Sequence, residues 1–203
     1  MALRVPAGRA GRLWLMNRLE VARRGTEVLD QKRRTLLRER RRTATELARA
    51  AKEWEHHARL AAESNDRALA LAGERRLRLT ALHCPDSATV EVAWRNTIGT
   101  VLPTHARVDT GTPPDFVALG GGAAVAIAGE AHRRALVHAA AHAAARAAHE
   151  AIESELASTT RRLRAIERRW IPEHEDALRR LDLELAEREL EDIARARFAR
   201  GLS

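Results

Sequence analysis

The sequence predicts a mainly α chain: a long antiparallel two-helix coiled coil with a small irregular or β-hairpin knob in the middle. Three observations predict it. Both ends of the 203 residues are nearly free of glycine and proline and are rich in Ala, Arg, Leu and Glu, the composition of long helices. Each end carries a narrow apolar stripe stepping by three and four residues, the period of a helix with one buried face. Most of the 11 Gly and 6 Pro fall between these ends, where the helical pattern stops.

The first helix is expected over residues 1–72. Leu15, Leu19, Ala22, Thr26, Leu29, Leu36, Thr43, Leu47, Ala50, Trp54 and Ala61 form its stripe. Arg33 and Arg40 interrupt it and must run their stems along the seam with their heads wet or paired. Sixty helical residues would extend on the order of 90 Å at about 1.5 Å each, more than a compact domain of this length accommodates.

Residues 73–129 are expected to form the knob. The stretch holds Pro85, Pro103, Pro113 and Pro114 and β-branched runs at Ala88–Trp94, Ile98–Leu102 and Phe116–Ile127. Short strands in one or two hairpins are expected there, with a short helix near Arg75–His83. The second long helix is expected over residues 130–203. Ala145, Ile152, Leu156, Thr159, Leu163, Ile166, Trp170, Leu178, Leu181 and Leu185 mark its seam. Pro172 stands inside it, removes one backbone donor and crowds the turn before it, so a kink is expected near Arg168. Two narrow stripes on long helices bury one another when the helices run antiparallel. The register expected from the sequence sets residues 13–40 beside 170–200.

The charge is unevenly placed. Residues 1–42 hold 13 basic and 4 acidic side chains, a net of +9, while the remaining residues sum to −1 against a total of +8. A basic segment of this kind suits nucleic acid, an anionic membrane or an acidic protein surface. Against nucleic acid, aromatic residues amount to 3%, too few for base stacking, and the arginines are spread around the helix. No run reaches the roughly 20 apolar residues of a bilayer span, and the start lacks a signal-peptide pattern, so a soluble chain is expected. A single cysteine, Cys84, makes no internal disulfide and fits a reducing compartment.

Catalytic and cofactor motifs are not found. A P-loop needs a lysine after its glycines, and neither Lys32 nor Lys52 follows one; Gly120, Gly121 and Gly122 lack dinucleotide-binding spacing. His138 and His142 stand at i and i+4, with His149 one heptad on. No His-Glu-x-x-His or further ligand accompanies them, so they read as polar positions on an Ala-rich helix, and His56 and His57 read the same way. Glu187, Glu189, Glu191 and Asp192 are close in sequence, but acid–base chemistry needs a pocket that an exposed shaft hardly offers. They are expected to pair with the basic first helix. No catalytic, cofactor or metal residue is therefore assigned.

Two stretches carry a resemblance. Asn17-Arg-Leu-Glu-Val-Ala-Arg-Arg-Gly-Thr-Glu-Val-Leu-Asp-Gln-Lys-Arg-Arg-Thr-Leu-Leu37 resembles the N-terminal signature of the D subunit of the V/A-type rotary ATPases. Thr159-Thr-Arg-Arg-Leu-Arg-Ala-Ile-Glu-Arg-Arg-Trp-Ile-Pro172 is similar to that family's second signature. It continues as Leu185-Ala-Glu-Arg-Glu-Leu-Glu-Asp-Ile-Ala-Arg195, similar to the family's Glu-Arg-Glu run followed by basic residues. Trp170 stands where the family usually carries a smaller aliphatic residue.

The resemblance implies a non-catalytic rotor subunit of an H⁺ or Na⁺ transporting ATPase or ATP synthase. Its shaft would lie on the axis of a head of catalytic and non-catalytic nucleotide-binding subunits. It would also bind the small F subunit of the stalk and a membrane-facing adapter subunit, at the cytoplasmic face of a membrane. The residues expected to face the head are Arg23, Arg24, Lys32, Arg33, Arg34, Glu187, Arg188 and Arg195, with Pro172 shaping the shaft. A basic coiled coil that binds nucleic acid or acts as a scaffold is the alternative reading.

Overall fold

The structure, a computed structural model, describes residues 4–82, 88–111 and 122–201. Helix α1 spans Gly8–Ala72 and α2 Glu74–Ala81. Strands β1 (Thr89–Thr97) and β2 (Thr100–Asp109) follow, then helix α3 (Gly122–Ala165), a π-helical turn (Ile166–Trp170) and helix α4 (Ile171–Gly201). The expected class, two long helical segments around a small β-hairpin, is the observed one. Cys84, Pro85, Pro113, Pro114, Gly120, Gly121 and residues 116–119 lie outside the described residues.

The chain divides into two compact units, residues 1–35 with 156–203 and residues 36–155. In the first, the start of α1 runs antiparallel to α4. Leu15, Leu19, Leu181 and His174 are buried along this seam, and Thr159 and Leu163 at the end of α3 are buried in the same unit. Cross-helix ion pairs fix the register: Arg12 Nε to Asp182 Oδ1 at 2.8 Å, Arg23 to Glu175 at 2.8 Å, and Arg9 to Glu189 at 3.1 Å. Residue 12 therefore faces 182, not the neighbourhood of 200, and the expected register is shifted by more than four turns. The apolar spacing repeats along both helices, so a slip by whole heptads preserves the pattern; buried His174, which the stripe omitted, helps select one alignment.

The start of α1 is held by a folded-back segment. Gly8 has φ of 74°, a left-handed conformation that glycine adopts without strain, and buried Gly11 lies against the Pro6 carbonyl. A Cβ on Gly11 would fall 1.9 Å from that oxygen. The absence of a side chain here is a packing requirement.

In the second unit the rest of α1 faces α3. Leu36, Thr43, Ala61 and Ala68 are buried on one side, Ala144, Ala148 and Ile152 on the other. Small alanines on both helices let the backbones approach closely, and a cluster of Ala68, Val125 and Ala128 is flanked by Ala72, Leu77, Ala124 and Ala126. This explains why the expected strand over Phe116–Ile127 is replaced by helix from Gly122 onward. The alanines favour helix, and Val125 and Ala128, three residues apart, share the buried face. Gly122, with φ of 73°, starts it.

Among the described residues the knob contains one antiparallel hairpin, longer than the runs Ala88–Trp94 and Ile98–Leu102. Ile98 belongs to the turn instead of a strand: Ile98 and Gly99 take φ of 53° and 79°, the two left-handed positions of a type I′ turn. Asn96 Oδ1 accepts the Gly99 N–H at 2.9 Å. Thr104 is the extra residue of a bulge between the Ala93–His105 and Trp94–Pro103 pairs, and its hydroxyl donates to the Ala93 carbonyl at 3.0 Å. Pro103, which lacks a donor, sits beside this bulge, where such a residue is tolerated. Buried Leu102 and an Arg95–Glu39 ion pair of 3.1 Å seat the hairpin against α1.

Candidate partner-binding surface

Pro172 has no N–H to give to the Arg168 carbonyl. The helix meets this by opening one turn: Ile166–Trp170 is π-helical, and the Ile171 N–H bonds to the Ile166 carbonyl. Departure from α geometry is therefore centred on Arg168, where the proline was expected to act. Two residues past Pro172, His174 Nδ1–H donates to the Trp170 carbonyl at 2.8 Å. Its ring stacks on the Trp170 ring at 3.5 Å and reaches Trp14 of α1 at 6.5 Å. Arg18 then lies over Trp14 at 4.8 Å, a cation–π contact. Sequence reasoning placed Trp170 on the seam but missed its histidine partner; the i, i+4 spacing of Trp170 and His174 is the signal that could have found it.

Five of the basic residues expected to face the head, Arg23, Arg24, Lys32, Arg33 and Arg34, sit on α1, and Arg188 and Arg195 sit on α4. Arg23 is paired across the helices with Glu175, and Arg24 pairs with Glu20 one turn back. Both line an open groove with Leu13, Met16, Glu27 and Arg179. Asp30 accepts from two arginines at once, Arg33 at 2.7 Å and Arg34 at 2.8 Å. Lys32 is half-buried beside them. Arg33 runs half-buried along the seam as its position required, whereas Arg40 is exposed.

The acidic run of α4 behaves differently from the expectation that all of it pairs with α1. Glu189 does so, through Arg9. Glu191 and Asp192 instead pair with Arg195 of their own helix, at 3.1 and 3.8 Å. Exposed Glu187 and Arg188 make no ion pair among the described residues. The cause is the register: with Glu189 opposite Arg9 and α1 starting at Gly8, residues 190–201 have no facing helix among the described residues. All of them are exposed, and Leu183, Leu190, Ile193 and Phe198 present 66%, 67%, 50% and 73% of their surface. At 100° per residue these four fall within roughly 140° of arc, one face of the helix.

The histidines gather in the second unit, though not as the i, i+4 pair suggests. His142 stacks on Trp54 at 5.1 Å, while His138 stacks on His57 of α1 at 4.0 Å, with rings 6° from parallel. His56 meets His57 edge-on at 5.2 Å. Burial first, then the imidazoles of His138 and His56, holds His57 below the ordinary histidine value; Glu53 opposes this and Arg134 adds to it. Arg133 and Arg134 both bond to Glu130 and hold its carboxyl below the ordinary range. His149 Nδ1–H donates to Thr43 Oγ1 at 3.0 Å, and the Thr43 hydroxyl donates on to the Arg40 carbonyl at 3.1 Å. Thr43 on the predicted stripe is thus a satisfied polar bridge between the helices.

No helix among the described residues is long and apolar enough to cross a membrane. No curated protein matches the chain. The family model for the D subunit of ATP synthase matches residues 13–201, which takes in α1 from its second turn, the hairpin, the π-helical turn and α4. The chain therefore belongs to the ATP synthase D-subunit family and is one subunit of a membrane-associated ATP synthase complex.

Proposed function

We propose that the chain is the non-catalytic central rotor shaft of a V/A-type H⁺ or Na⁺ transporting ATPase or ATP synthase, passing torque between a nucleotide-binding head and a membrane ring. The observation that carries this reading is the exposed end of α4. A helix with Leu190, Ile193 and Phe198 on one bare face and an alternating charged surface elsewhere is built to be enclosed by other chains.

Family membership supplies the complex, and the sequence signatures at both ends point to the V/A type. Partners in this reading are the catalytic and non-catalytic head subunits, the small F subunit of the stalk and a membrane-facing adapter, with the shaft at the cytoplasmic face. Arg23, Arg24, Lys32, Arg33, Arg34, Glu187, Arg188 and Arg195 are assigned to the head. A rotating part must meet several head subunits in turn without lodging against one, and hydrated arginine heads give long-range attraction of low specificity. Many of the α1 arginines are already matched by carboxylates, which leaves less bare positive charge than a nucleic-acid surface needs.

The test is reconstitution with the head subunits of the same complex. The wild-type chain is expected to co-purify with the head and to rotate within it when ATP is hydrolysed. Failure to enter the head, with salt-sensitive retention on DNA instead, would replace the rotor by the nucleic-acid alternative.

A further inference from the structure

We propose that Glu53 and His57 of α1 together with His138 of α3 form a binding site for a divalent transition-metal ion of the zinc class, clamping the two helices of the second unit. Glu53 and His57 are one helical turn apart, so both point from the same face of α1. His138 meets them from α3. One ligand atom from each lies within 4.8 Å of the others.

Around a tetrahedral ion with bonds of 2.0–2.1 Å, ligand atoms stand about 3.3 Å apart. Drawing the three together takes a movement of about an ångström or a little more, and one imidazole must turn out of the stack so that both ring nitrogens converge. Glu53 is exposed and the two histidines are half-buried, so these side chains have the room to do so. The charges nearby are compatible with a cation. Arg134 of α3, whose charge acts on His57, is held by Glu130 at 2.9 Å, and Glu53 supplies a negative ligand. Two imidazoles and one carboxylate make a donor set suited to Zn²⁺, Ni²⁺ or Cu²⁺ rather than Mg²⁺ or Ca²⁺, with water completing the shell. His142, engaged with Trp54, is outside the set, although its sequence spacing made it the natural companion of His138.

Because the ligands come from both helices, an ion here ties α1 to α3 and adds its binding free energy to the folded form. This site does not depend on the rotor reading, and its test needs only the full-length chain. After treatment with EDTA and buffer exchange, Zn²⁺ is titrated by calorimetry, Co²⁺ by its visible absorption, and thermal melting is followed with and without Zn²⁺. One equivalent is expected to bind, with tetrahedral Co²⁺ bands and a raised melting midpoint.

His57→Gln, His138→Gln and Glu53→Gln are each expected to weaken binding about ten-fold or more, and His142→Gln to leave it unchanged. Circular dichroism confirms that the variants are folded; should either histidine variant lose helicity, the exposed Glu53→Gln and the wild-type Co²⁺ spectrum decide. Absence of saturable Zn²⁺ binding by the wild type overturns the site. So does binding that persists at full strength in the His57→Gln/His138→Gln variant or in Glu53→Gln.

Discussion

His174 is bound twice to Trp170: its Nδ1–H donates to the Trp170 carbonyl at 2.8 Å, and its ring lies on the indole at 3.5 Å. The pair brackets Pro172, so the turn that the proline deforms is fastened on both sides by one side chain. His174→Ala is expected to lower the unfolding free energy by about 2 kcal/mol, since it removes a buried stack and a hydrogen bond together. Urea unfolding followed by circular dichroism measures it. A loss under about 0.5 kcal/mol would show that the contact is incidental.

Pro172→Ala returns an N–H to the position that the π-helical turn works around. The isolated chain is expected to be as stable as the wild type or more so, because a helix-interior proline costs about 3 kcal/mol in an unprepared helix and part of that cost is relieved. If the proline shapes the rotor, ATPase activity coupled to rotation falls in the reconstituted complex. Full coupled activity would mean that the proline is merely tolerated.

Arg12 and Arg23 make the cross-helix ion pairs that mark the register, yet their side chains are 49% and 62% exposed. Arg12→Ala or Arg23→Ala should each cost no more than about 1 kcal/mol. Leu15→Ala, at a fully buried position, should cost about 2–5 kcal/mol. Equal losses in denaturant melts would contradict the division between apolar seam and charged edge. Replacing Arg23, Arg24, Lys32, Arg33 and Arg34 together by Glu should weaken assembly with the head; unchanged assembly would remove them from that role.

Gly11→Ala places a methyl group 1.9 Å from the Pro6 carbonyl oxygen. Backbone has to move to admit it, so residues 4–7 are expected to detach from α1. Faster amide exchange over the first turn of α1, with the exchange of residues 36–72 unchanged, is the signature to measure. Unaltered exchange at the first turn would refute it.

Leu190→Ser, Ile193→Ser and Phe198→Ser, combined, remove the bare apolar face of α4. These residues are half or more exposed in the chain itself, so its melting temperature should change by less than about 2 °C, a surface-sized effect. Pull-down with the head subunits should instead drop about ten-fold or more, the scale of losing anchors at an interface centre. Retained binding would place the head contact elsewhere.

The sequence by itself determined the elements whose causes are local. Stripe periodicity, scarce breakers and alanine content make the two ends helical whatever they meet, and Leu15, Leu19, Leu36, Thr43, Ile152, Leu163 and Leu181 are buried as their spacing required. The β-branched run before Asn96 and the Gly99 behind it gave the hairpin, and Pro172 marked where the last helix leaves α geometry. Tertiary structure decided what depends on a facing partner. It set Arg12 against Asp182 and left Leu190, Ile193 and Phe198 exposed on one face of α4. It turned Gly122–Ile127 into helix because Val125 and Ala128 could pack on Ala68, and it paired His138 with His57 of the other helix rather than with His142 of its own. A heptad pattern is degenerate under translation along the helix, so alignment is chosen by the few bulky or charged pairs that fit at one setting, and those pairs join residues far apart in the chain.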